Sequence, residues 1–520
     1  MKTYRPYQPR QGFLLPPSPL DWLPQDHLAY FLLETVSQLD LSAITAYYER
    51  ERRGFPPHDP RMMVALLLYA YCVGVPSSRK IEQRTHEDIA FRVLAANTHP
   101  DHSCISEFRR IHLEALSALF VQVLKLCERL GLVKLGTVAL DGTKLKANAS
   151  KHKALSLLRM KKEQERLEQK VSELLAAAEQ ADAQEDAQYG KSRRGDTLPE
   201  DLRRAETRLA RIRAAQGELL AEAAAQAEEK KESQSEDAQA AAVLDEMARI
   251  QAAQALGCAE ETPSDPDDDP PPALGPGPLP THRIPVDKQG TPKDSAQRNF
   301  TDPDSRILKD KGGFVQGYNG HLAVDGESQI IVGLGLSNQA PDVEYFIPML
   351  DRVGALCARL PDAALADAGF FSEANIRRAE ARGIEVYIAP ARTPHGEKEP
   401  ASDEPPACQS LAKVQMQAKL KTERGEALYR RRKAIVEPVF GQIKARGFDQ
   451  LSLRGLCKAR GEWSLIALSH NLLKLHKARR GPSAPPPSRP QGPGRSPLGA
   501  RFSAFATLTS TKTAPLLAAA

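Results

Sequence analysis

The chain has 520 residues, 41% of them hydrophobic and 26% charged, with 40 prolines. This is enough for about two to four compact units with a sizeable core, while the prolines imply linking segments outside them. A net charge of +5 is too small to single out a nucleic-acid partner. Seven scattered cysteines without a C-x-x-C pair argue against a disulfide framework and structural zinc. With no apolar leader and no run long enough for a bilayer, the expectation is a soluble cytoplasmic protein without membrane contact.

From Asp26 to about Val133 the pattern is helical. HLAYFLLETVSQL, DPRMMVALLLYAYCVGV and ISEFRRIHLEALSALFVQVLKLCERLGLV repeat apolar residues at three and four, separated by GFPPHD and NTHPDHS. Ser103 or Ser106 is expected to cap a helix whose first turns carry Arg109 and Arg110, which read locally as solvated cations and alternatively as an element laid on DNA. In VALDGTKLKANAS, Val138, Ala139 and Leu140 read as a strand that reaches a turn at Asp141-Gly142.

From Lys153 to about Ala255 the chain is rich in Ala, Glu, Lys, Gln and Arg. Two helical stretches separated by YGKSRRGDTLP predict an antiparallel hairpin or coiled coil. TPSDPDDDPPPALGPGPLPTHRIP then reads as a linker. Strand signals resume in GFVQGYNGHLAVDGESQIIVGLGLS, with a turn at Asp325-Gly326. VEYFIPMLDRVGALCARL follows as a helix, AALADAG as a strand, SEANIRRAEARG as a helix and IEVYIAP as a strand. EALYRRRKAIVEPVFGQIKARGF and EWSLIALSHNLLKLHKARR are helical, and the Pro- and Gly-rich tail after Arg480 is expected to be unstructured.

Two-metal phosphoryl transfer needs carboxylates that converge from separate elements. Asp141 and Asp367 each end a short apolar strand, and Glu437 lies in a basic helix, where Lys433, Glu437 and Lys444 share a face. Taken singly, each acid reads as a turn or helix-end residue. Asp325 reads as turn-forming, and Asp304 has no definite job.

Together with their neighbours the acids resemble the DDE transposases of bacterial insertion sequences. The matching stretches are PDHSCISEFRRIH, VALDGTKLKANAS, DPDSRILKDKGGFVQGYNGHLAVDGESQIIV, LADAGFFSEANI and YRRRKAIVEPVFGQIKARGF. The branch resembled has an InsH-like N-terminal domain and an RNase H-like catalytic domain of the IS4 type. By that resemblance Asp141, Asp367 and Glu437 are the three catalytic, metal-holding acids, served by two Mg²⁺ or Mn²⁺ ions. The family's third motif places a Tyr and an Arg before the Glu and a Lys after it. Glu437 to Lys444 keeps its spacing, whereas Tyr429 is displaced by one and the companion cation falls to Arg432 or Lys433.

The implied organisation is a helical DNA-binding domain over 1–133 and an α/β RNase H-like core over 134–152 and 285–480. A coiled-coil insertion over 153–260, a linker over 261–284 and a tail over 481–520 complete it. The implied function is cutting and joining DNA at the element's terminal inverted repeats and in target DNA, by a homodimer or larger assembly at the bacterial nucleoid. DNA contacts are expected from Tyr429, Arg432, Lys433, Lys444, Arg109 and Arg110. An inactive copy that only binds DNA, or a scaffold built on the insertion, are the rival readings.

Overall fold

Val138, Ala139 and Leu140 are buried because their strand lies at the centre of a mixed sheet, covered on both faces, so the run is continuously apolar rather than alternating. The computed structural model describes residues 21–50, 56–189, 200–254, 279–310, 312–390 and 411–480. Its strands are β1 (Thr137–Lys146), β2 (Ala154–Ser156), β3 (Gln297–Asn299), β4 (Arg306–Asp310), β5 (Gly313–Asp325), β6 (Ile331–Ser337), β7 (Ala363–Ala366) and β8 (Glu385–Ile388). β1 pairs antiparallel with β5 on one side and parallel with β7 on the other, and β8 continues in parallel beyond β7. β5 is long enough to carry β4 along its first half and β6 along its second, both antiparallel.

The expected turn after β5 is built on Asp325, which is fully buried. Its carboxylate accepts from the backbone of Glu327 and Ser328 within the turn and of Lys134 and Leu135 across the sheet end. Asp304 accepts from the Leu456 amide at 2.8 Å, which ties the approach to β4 to the start of the last helix.

Seven helices precede the sheet among the described residues, from Leu28–Gln38 to Leu113–Arg129. The long helix expected through ISEFRRIH and onward is divided at His112 into His102–Ile111 and Leu113–Arg129; His112 leaves helical geometry and its Nε2 meets the Tyr48 hydroxyl at 3.1 Å. The first of the two is capped by Asp101, not by Ser103 or Ser106. The Asp101 carboxylate accepts from the free amides of Ser103 and Cys104, a site that an acid just ahead of the first turn reaches best.

The last helix, Leu456–Arg479, is buried nearly all round. Trp463, Ile466, Leu468 and Leu472 belong to one apolar cluster that runs from the N-terminal helices through the sheet. β6 is an edge strand, and Asn471 of this helix satisfies it by accepting from the Ile331 amide and donating to the Ile331 carbonyl, both at 2.9 Å. The N-terminal helices and the sheet thus share a core.

The insertion leaves and re-enters at the small β2–β3 sheet. Its helices, Leu157–Tyr189 and Glu200–Gln254, pack through Leu157, Met160, Leu167, Leu209, Ile212 and Leu219, joined by Ile284 and Ala296 of the returning chain. Arg208–Glu163 and Arg213–Glu168 link the helices, and Glu222 holds Arg298 and Arg306 of the returning strands. The break expected near YGKSRRGDTLP, most of the 261–284 linker and the tail lie outside the described residues. Among the described residues no helix is long and apolar enough to cross a membrane.

Candidate active site

The parallel register of β1 and β7 aligns Ala139 with Leu365. Two residues further along are Asp141 and Asp367, so their carboxylates fall on one face of neighbouring strands, whose backbones are spaced by about 4.8 Å. The turn expected at Asp141-Gly142 is not formed: β1 continues to Lys146 along β5, and Asp141 lies within it, just past the last residue paired with β7, whereas Asp367 directly follows β7. Asp367 is held by the following turn, where its Oδ1 accepts from the Gly369 amide at 2.9 Å. Asp141 accepts from the Gly142 amide at 2.7 Å. Burial, and then the neighbouring Asp367 charge, push the Asp141 carboxyl up to about 6. Two like charges are thus crowded into a poorly solvated corner, and among the described residues one cation forms an ion pair with Asp141.

That cation is Arg432, whose guanidinium lies 3.5 Å from Asp141. It projects from the helix Glu423–Ala445 beneath the ring of Tyr429, at 5.8 Å from the centroid, and is 7% exposed. The choice between Arg432 and Lys433 is therefore made by packing, since Lys433 is exposed. It also corrects the expectation that Arg432 is a DNA contact: its guanidinium is turned to a carboxylate inside the protein.

The helix runs unbroken through Pro438. Proline has no amide to donate to the carbonyl four residues back, and the Gln329 side chain takes its place by donating to the Ala434 carbonyl at 2.9 Å. Glu437 is five positions, about 140°, round the helix from Arg432. It is exposed there, as are Lys433 and Lys444 on the same side. Among the described residues no group of three His, Cys, Asp or Glu side chains is close enough to hold a metal ion. Asp141 and Asp367 are brought together; Glu437 is not joined to them.

A second acid near the pair had no assignment from the sequence. Asp342, in the loop after β6, accepts from Asn319 Nδ2 at 2.7 Å and lies 3.5 Å from the Lys144 ammonium. Strand alternation puts Gly142 and Lys144 on the face of β1 opposite Asp141, so Asp342 approaches from the far side. A Cβ on Gly142 would sit 3.3 Å from Asp342 and 3.2 Å from His321, and one on Gly369 would meet both Asp367 and Asp342. Asp342 is thus the second acid, after Asp367, acting on Asp141, and it too raises the Asp141 carboxyl. His321 is buried, stacks on Tyr345 at 4.1 Å, and is pushed down to about 4 by burial, so it is neutral at pH 7. Asn319 and His321, two polar residues spaced by two inside an apolar strand, were the available signal; Asp342 gave none, because only the loop's closure brings it in.

Arg109 is corrected outright. It is 6% exposed, donates to the Pro76 carbonyl at 2.6 Å and Ser78 Oγ at 3.2 Å, and faces the Tyr71 hydroxyl at 3.4 Å. One turn of the helix faces inward at 109 and outward at 110, so only Arg110, paired with Glu107 at the surface, remains open to DNA.

The donor set suits a hard divalent cation. Paired carboxylate oxygens, one with its acid form favoured by burial and a like charge, are the chemistry that such an ion relieves.

Comparison with known proteins gives two family matches. Residues 17–110 match the family described as Transposase domain (DUF772), and residues 282–472 match the one described as Transposase DDE domain. No curated protein and no solved structure matches the chain.

Proposed function

The chain belongs to the DDE transposases of insertion sequences, and from that premise we propose that it binds the ends of its element and cuts and rejoins DNA there, with Asp141, Asp367 and Glu437 as the metal-holding acids. The observation that carries this reading is the placement of Asp141, within β1, beside Asp367, just after β7, with the Asp141 carboxyl raised to about 6. The strand order β6-β5-β1-β7-β8, antiparallel over its first three strands and parallel over its last three, supports an RNase H-like core.

When bound, a pair of Mg²⁺ or Mn²⁺ ions supplies charge stabilisation to the attacking and leaving oxygens of the phosphodiester. The side chains supply the rest. Asp141 presents fixed oxygens from within β1 and Asp367 from the turn that follows β7, and Arg432 holds the Asp141 carboxylate in place. Glu437, next to Pro438 on the exposed face, completes the set when DNA and metal draw it in. Lys433 and Lys444 on that face, with Arg110 of the N-terminal helices, hold backbone phosphates and so position the strand. Water attacks the phosphorus at the element's end, the P–O3′ bond breaks, and the freed 3′-hydroxyl then attacks a target phosphodiester in the same way. Two copies of the chain bring two ends together.

The test is a nicking assay on linear DNA bearing the element's terminal repeats. Cleavage that requires Mg²⁺ or Mn²⁺ and stops with EDTA is expected. The open position of Glu437 favours a second reading, an inactive copy, which predicts DNA that is shifted in a gel but never cut.

Asp342 enters this reading as a positioning residue. Asp342→Asn is expected to change the cleavage rate by no more than about tenfold, because Asp342 acts on Asp141 through its charge and not through a hydrogen bond. Removing one of the like charges near Asp141 should also move the acid limb of the pH–rate profile to lower pH. A merely structural defect would lower the rate at every pH and leave that limb where it was.

A further inference from the structure

The base of the insertion carries a second concentration of cations, away from the carboxylates. Arg203, Arg204, Thr207, Arg208 and Arg211 line one side of a cleft of 580 Å³, from the first turns of the helix Glu200–Gln254. Their spacing of three and four residues puts them along one stripe of that helix. His152 and Lys153, from the short turn before β2, line the other side, and Leu155, Ile212 and Phe300 contribute apolar surface.

Two of the cations are partly answered within the chain. Arg204 pairs with Glu200, and Arg208 lies 3.0 Å from Glu163. Arg203, Arg211 and Lys153 form no ion pair among the described residues, and all three are exposed. An ordinary solvated helical face would spread such charges outward. Here cations from two separate elements line one concavity around Phe300, which is the form of a site for a polyanion. The apolar surface beside them lowers the local dielectric and strengthens each charge contact.

The cleft is also tied to the carboxylates by the chain. β1 carries Asp141, and Lys153 follows it by twelve residues. The two are therefore separated by no more than about 40 Å, the length of about 12 base pairs of duplex.

We propose that this cleft is a DNA-backbone site, in which Lys153, Arg203, Arg208 and Arg211 hold phosphates of the duplex that flanks the cut. The inference rests on the reading of the chain as an enzyme acting on DNA, and it gives the insertion a part in DNA placement. The cleft reads no sequence: guanidinium and ammonium groups aimed at phosphates fix register and orientation only. Glu163 is displaced from Arg208 when a phosphate takes its place.

The experiment uses the full-length protein with Arg203→Gln and Arg211→Gln together, exposed positions whose change leaves the core untouched. The probe is a linear duplex bearing the terminal repeat and its flanking sequence, titrated over a range of salt. Two lost phosphate contacts should lower the slope of log affinity against log salt by about 1.8, and affinity should fall about tenfold near 0.1 M salt. Hydroxyl-radical footprints should lose backbone protection within about 12 base pairs of the cut while protection at the cut itself remains. Lys170→Gln, an exposed cation outside the cleft, should change neither the slope nor the footprint. Unchanged slope and footprint in the double variant, or equal effects from Lys170→Gln, would overturn the cleft assignment and leave the catalytic reading standing. Failure of the wild-type protein to bind the duplex at all would overturn both.

Discussion

Asp141→Asn, Asp367→Asn and Glu437→Gln are each expected to abolish strand cleavage and joining, by on the order of 10³-fold, while leaving DNA binding intact. Each change keeps the side chain's volume and removes one negative oxygen. If the three acids act as one metal-holding unit, a second substitution adds little to the first. Binding survives because the phosphates are held by Arg110, Lys433 and Lys444, all of them exposed. A variant that cut ends at near the wild-type rate would remove its residue from the active site.

The same substitution at Asp141 carries an opposite effect on stability, with a definite pH window. The Asp141 carboxyl stands at about 6 in the folded chain, above its ordinary 3.8. A raised acid stabilises the fold only while protonated: the contribution is complete below about 4 and is lost as pH rises through about 6. At pH 8, with EDTA present, the ionised Asp141 weakens the fold, and Asp141→Asn should raise the melting temperature by about 3–6 °C. At pH 3.5 that gain should vanish. Added Mn²⁺ reverses the order, since it stabilises the wild type in proportion to its occupancy and the variant much less. A gain independent of pH would mean that Asp141 is not under charge stress.

The second large effect is on folding. Arg109→Ala should cost about 3–5 kcal/mol, because it removes a buried cation and strands its partners. The Pro76 carbonyl and Ser78 hydroxyl lose their donor, and Glu462, itself buried and raised by burial, loses a nearby positive charge. Urea unfolding should show the loss as a lower midpoint with an unchanged slope. Arg110→Ala, one residue on and paired only at the surface, should leave the midpoint within about 0.5 kcal/mol and weaken DNA binding instead. Equal unfolding midpoints for the two variants would show that Arg109 bears no structural load.

Much of the fold was legible because it is written in short-range pattern. The short apolar run before Asp141 reads as a strand, and the alternation with a Gly turn at Asp325 is that of a hairpin. The helices of the last hundred residues follow from their periodicity, and Asp141 and Asp367 could be named because each closes an apolar run, although the turn read at Asp141-Gly142 is a continuing strand. Sequence pattern stops at the question of which face looks inward. Arg109 and Arg110 are adjacent cations with the same propensity, and only the packing of the helix His102–Ile111 against Tyr71 and Ser78 makes one a core residue. Arg432 and Lys433 divide in the same way across the helix Glu423–Ala445. Asp342 needed the fold entirely, since it is brought to Asp367 by a loop that closes over β5. Periodicity and turn chemistry, which act between near neighbours, were determined by the sequence alone; the inward or outward sense of each charge and the meeting of distant acids were decided by tertiary packing, because burial energy depends on contacts that no local spacing encodes.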